Sequence, residues 1–129
     1  MPRAPAALAA FAAFAALMGA GGVALAALAV HADGGELAKT ASLFLVLHAA
    51  ALVGLSAHAR FAEGSTRLLT VGAALAAGAT LLSADLAARA FLGGRLFPFA
   101  APIGGSLTIL SWLALAIVFA LRAAKRAST

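Results

Sequence analysis

The chain has 129 residues, of which 64% are hydrophobic and 10% charged, and its formal net charge is +5; the mean hydropathy is +1.08 and the pI near 11.6. Residues 6–30, 41–59, 68–86 and 103–121 are each apolar over about the 20 residues that a bilayer's hydrocarbon core demands, and the short connections leave no room for a water-soluble domain, so residues 1–129 read as one membrane domain. The absence of cysteine excludes a disulfide framework, a thiolate metal site and a Cys nucleophile, while cations placed at span edges, with no basic face carrying interleaved aromatics, exclude nucleic acid as a partner.

The first stretch opens on Met1-Pro-Arg3 and has the small residues of a secretory cleavage site near Ala27 and Ala29. Its apolar run, however, continues from Ala6 to Val30, beyond the roughly 7 to 15 residues of a signal core, and it is read as a retained first transmembrane helix. The connection from His31 to Thr40 pairs a glycine stop, Gly34-Gly35, with a polar restart and reads as a solvated loop. The second connection, Arg60 to Arg67, contains Glu63 and Gly64 and offers Ser65 or Thr66 as N-cap of the third helix. The third, Ala87 to Pro102, mixes Arg89 and Arg95 with Phe91, Phe97 and Phe99 and reads as an interfacial segment. Pro102 suits the first turn of the fourth helix, where its missing N–H costs nothing. No strand alternation and no tyrosine girdle support a β-barrel.

The expected architecture is an all-α membrane protein, an antiparallel four-helix bundle. With both termini in the cytoplasm that side holds Arg3, Arg60, Arg67, Arg122, Lys125 and Arg126, against Lys39, Arg89 and Arg95 on the other, and this imbalance sets the orientation. The spans are built mainly of Ala, Gly and Leu, so close backbone approach through small residues should hold the helices together. Gly22, Gly54, Gly72 and Gly78 lie in small-x-x-x-small pairs, and Gly54 and Gly72 are expected to face outward, toward a neighbouring chain.

Few residues carry chemistry. His48 lies within the second span, about 10 Å from its expected start, where an ionisable group is costly and by default a functional candidate. The simpler reading is a neutral imidazole hydrogen-bonded across helices, with Thr80 or Ser83 as partner. His31, His48 and His58 lie at different depths, which argues against a bis-histidine haem, and a metal site at His31, Asp33 and Glu36 competes poorly with a solvated loop. Asp85 stands four residues before Arg89 and Glu63 four before Arg67, each the favourable order for a helical ion pair, with Asp85 expected to reach water at its span end. Trp112 reads as a packing residue, and Ser106, Thr108 and Ser111 as hydroxyls bonded back to their own helix. No Ser-His-carboxylate set, phosphate-cradling glycine loop or HExxH helix is present, so no catalytic residue and no cofactor is expected.

The run Gly19-Ala-Gly-Gly-Val-Ala-Leu-Ala-Ala-Leu-Ala-Val-His31-Ala, then Lys39-Thr-Ala-Ser-Leu-Phe-Leu-Val-Leu-His48-Ala-Ala-Ala-Leu, then Ala101-Pro102-Ile-Gly104-Gly105 followed by Trp112, resembles the YwdK/YgdD family of small membrane proteins, the domain of unknown function numbered 423. In that family a Gly-Ala-His segment ends the first span, Tyr-His-Ala lies in the second and Thr-Pro-x-Gly-Gly opens the last; the matching positions are His31, His48, Pro102, Gly104 and Gly105. Leu47 replaces the aromatic before the second histidine, Ala101 the threonine before the proline, and Gly78-Ala-Thr80-Leu-Leu82 the Gly-Ser-x-x-Tyr of the third span, which marks a divergent member. The resemblance implies four helices in a bacterial inner membrane and no established activity. The expected role is a non-catalytic accessory subunit that packs against a larger membrane complex, respiratory or photosynthetic, or against itself. The alternative is a small transporter or a binder of a lipid or quinone-like ligand at a polar site around His48.

Overall fold

The computed structural model of the protein describes residues 3–62 and 65–128, with side chains from Ala6 onward. The chain is all-α: α1 (Arg3–His31), α2 (Gly35–Ala59), α3 (Ser65–Leu92) and α4 (Ala100–Ala127), each long and apolar enough to cross a membrane. All four extend beyond the apolar stretch that predicts them. Hydrocarbon leaves the backbone no partner outside the helix, and helices of 25 to 29 residues measure about 37 to 43 Å against a core of about 30 Å. Each helix is thus longer than the hydrocarbon core it would cross, so its backbone stays bonded past the apolar stretch.

The largest revision falls on α2, which begins at Gly35 rather than at 41 and turns the expected solvated loop into a helical turn. In that turn Lys39 pairs with Glu36 at 2.7 Å, and Thr40 Oγ1 donates to the Glu36 carbonyl. The connection shrinks to residues 32–34, made possible by left-handed backbone at Asp33 (φ 52) and Gly35 (φ 59). Ser65 and Thr66, expected as caps, are helical residues of the first turn of α3; Glu63 and Gly64, and with them the expected Glu63–Arg67 pair, lie outside the described residues. α3 runs on to Leu92, so the expected interfacial segment contracts to 93–99, which reverses through Gly93 (φ 72) and Phe99 (φ 67) and leaves Leu96, Phe97 and Phe99 exposed. Pro102 does lie in the first turn of α4.

Consecutive helices pack on one another, with a smaller contact between α1 and α3. The core lies along α2 and α3, where Leu52, Leu68 and Leu75 are fully buried, with Ala15, Ala49 and Ala79 between them. Glycines set the closest crossings. A Cβ on Gly22 would lie 2.6 Å from Val46, and Ser42 donates to the Gly22 carbonyl at 2.7 Å, fastening α1 to α2. A Cβ on Gly78 would lie 2.8 Å from the backbone nitrogen of Thr108, and one on Gly104 2.6 Å from that of Leu82, so α3 and α4 meet backbone to backbone. Gly72 points inward, contrary to expectation: a Cβ there would be 2.7 Å from Phe11 and 2.8 Å from Leu55. Gly54 does face outward, with nothing within 4 Å of such a Cβ, and so takes no part in helix packing within the chain.

Candidate functional site

α2 and α4 do not approach closely: no Cα of one lies within 8 Å of a Cα of the other. Long side chains span the gap at two levels. Near mid-helix, Trp112 Nε1–H donates to His48 Nε2 at 3.3 Å, and toward the ends of α2 and α4 His58 packs edge-on against Phe119 with ring centroids 5.4 Å apart. Between these bridges runs an apolar groove of about 350 Å³, walled by Ala51, Gly54 and Leu55 of α2 and by Leu115 of α4, with Leu75 of α3 as floor.

His48 is 8% exposed and sits just past the middle of α2, deeper than the sequence alone suggests, because the helix starts earlier. Its Nδ1–H donates to the Phe44 carbonyl of its own helix at 2.7 Å, the Phe44 ring stacks on it at 5.1 Å, and Nε2 is left to accept from Trp112. Both ring nitrogens are thus engaged, Nδ1 as donor within α2 and Nε2 as acceptor across the gap. The interhelical hydrogen bond expected of His48 is present, but the expected partners are wrong. Thr80 Oγ1 and Ser83 Oγ are buried without a hydrogen-bond partner among the described residues. Trp112, read as a packing residue, supplies the bond. One signal was available: an indole N–H inside a span must find an acceptor, and α4's own carbonyls are engaged in its helix.

Asp85 departs from expectation in another way. The predicted pair forms, with Arg89 Nη2 donating to Oδ2 at 2.5 Å, yet Asp85 does not reach water and is 0% exposed. The cause is the fold of 93–99, whose Leu96 N–H donates to Oδ1 at 2.9 Å and closes over the carboxylate. Asp85 is therefore the point at which the α3–α4 connection is fastened, through two charge-assisted bonds. Of the hydroxyls on α4, Thr108 and Ser111 bond the carbonyls of Gly104 and Leu107, as expected.

Among the described residues no three His, Asp or Glu side chains gather as a metal site, so His31, Asp33 and Glu36 do not converge. His31 ends α1, while His48 and His58 lie at different levels of α2. Of the family-like positions, Gly104 is buried in the α3–α4 crossing, whereas Gly105 has open space above its Cα.

No curated protein and no solved structure matched the chain. A family model described as "Protein of unknown function (DUF423)" matches residues 8–105, from the first turns of α1 to the glycine pair at the start of α4 and short of Trp112. A small protein of four membrane-length helices, with its histidine-bearing second helix and Pro-x-Gly-Gly start of the last helix inside that match, belongs to the DUF423 family.

Proposed function

We propose that this protein is a non-catalytic accessory subunit whose α1 packs against a transmembrane helix of a larger assembly in a bacterial inner membrane. In this reading the helices alternate in direction and both termini are cytoplasmic, as the cation imbalance favours. The observation that carries it is the outer face of α1, where Ala9, Ala13, Ala16, Ala20, Ala24 and Ala27 are all exposed and recur every three or four residues, one line along the helix. Helices in lipid gain little from hydrophobicity against one another, and a line of small residues lets a neighbouring backbone come close enough for dispersion contacts. The alternative, a ligand site centred on His48, finds less support because both ring nitrogens are already bonded.

The test is the size of the detergent-solubilised particle. The parent chain should run well above its own 12.6 kDa of protein with a second chain in the particle, and Ala20→Leu with Ala24→Leu should release it. A parent that is a lone monomer in mild detergent, unchanged by these substitutions, would rule the reading out.

A further inference from the structure

We propose that the groove between α2 and α4 seats one acyl chain of an anionic phospholipid, with its phosphate held by the cations at the His58 end. This site is separate from the outer face of α1. The groove is apolar along Leu55, Leu75 and Leu115 and open above Gly54. In a bilayer such space is filled, because unfilled walls lose dispersion contacts. A transmembrane helix does not fit: with side chains it is about 10 Å across, and it would have to part Trp112 from His48 and Phe119 from His58. An acyl chain is thin enough to enter from the open side above Gly54 and lie along the groove without parting either bridge.

Length and charge agree with this occupant. From Trp112 to Arg122 the groove and its mouth span about 15 Å along α4, half of the ~30 Å hydrocarbon thickness and so the depth of one leaflet. The same end carries Arg60, at the C-cap of α2, Arg67 at the start of α3 and Lys125 on the last turns of α4, with Glu63 as the acidic side chain in that part of the sequence. Arg60, Arg67 and Lys125 are exposed. Basic clusters where transmembrane helices meet the headgroups recognise anionic lipid, each nearby cation contributing about a fivefold gain in binding. A zwitterionic lipid fits the groove equally but gains less from the cations.

Trp112 lines the groove and is the only tryptophan in the chain, so its fluorescence reports the occupant. The full chain is reconstituted in mixtures of phosphatidylglycerol and phosphatidylcholine, with bromine placed deep on the acyl chains of one lipid at a time at equal mole fraction. Brominated phosphatidylglycerol should quench Trp112 more strongly than brominated phosphatidylcholine, and Arg60→Gln and Lys125→Gln should each reduce that preference about fivefold. Gly54→Leu should abolish it by filling the groove, while Gly105→Leu, which also enters open space, should leave it intact. Equal quenching by the two lipids in the parent would mean ordinary boundary lipid and overturn the proposal. Quenching by neither would mean that protein covers the groove, and would overturn it as well. The parent comparison and the two charge variants decide the matter even if Gly54→Leu fails to fold by circular dichroism.

Discussion

An imidazole and an indole in hydrocarbon each carry a polar atom that lipid cannot satisfy, and in this protein they satisfy one another across the α2–α4 gap. Interhelical hydrogen bonds of this kind average about 0.6 kcal/mol, because the unfolded state in the membrane also finds partners. Trp112→Phe keeps an aromatic ring and removes the N–H, so it should lower stability by about 0.6 kcal/mol. Equilibrium unfolding in mixed micelles, run as a double-mutant cycle with His48→Leu, checks this: strictly additive losses would mean that the 3.3 Å contact contributes no coupling. At this scale the sequence identifies the expensive residues but not their company. His48 stands out as an ionisable group within a span, and Arg89 as a partner of Asp85 through its four-residue spacing. Leu96 and Trp112 lie eleven and sixty-four positions from the groups they bond, and no spacing rule reaches that far.

Whether a glycine admits a neighbour or merely leaves a gap depends on how its helix is rotated. Gly72 and Gly54 belong to similar small-x-x-x-small pairs, yet one is enclosed by Phe11 and Leu55 and the other opens onto the groove. Gly104 and Gly105 make the contrast within two residues, since only Gly104 meets the α3 backbone. Gly104→Ala should therefore drive α4 away from α3 and cost about 1 to 3 kcal/mol, the range for overpacking a tight contact, whereas Gly105→Ala should be neutral or slightly stabilising through its better helix propensity. Thermal unfolding of the detergent-solubilised variants separates them, and equal midpoints would refute the backbone-to-backbone crossing. The expected boundaries erred in one direction for a related reason. Hydropathy measures where hydrocarbon ends, but the helix continues until its backbone finds water or a turn, as at Gly35 and Leu92.

Across the whole molecule the helices form a chain of neighbours in which α2 and α3 are the more enclosed and α1 and α4 the outer pair. Under the proposed orientation, reporter fusions should find the end of α4 in the cytoplasm and Gly34 outside; a reporter after α4 that is active only outside the cytoplasm would invert the topology. The four helices and their approximate positions follow from the apolar stretches along the chain, because lipid permits a spanning backbone hardly any alternative to a helix. The family is legible as well, in the order of the His31, His48 and Pro102-x-Gly-Gly segments. Which faces meet, and that α2 and α4 stand apart to leave a groove, is decided by steric fit in three dimensions. A residue facing lipid and one facing another helix are equally apolar, so hydropathy does not distinguish them, and only the placement of Gly22, Gly78 and Gly104 against neighbouring backbone and side chains does.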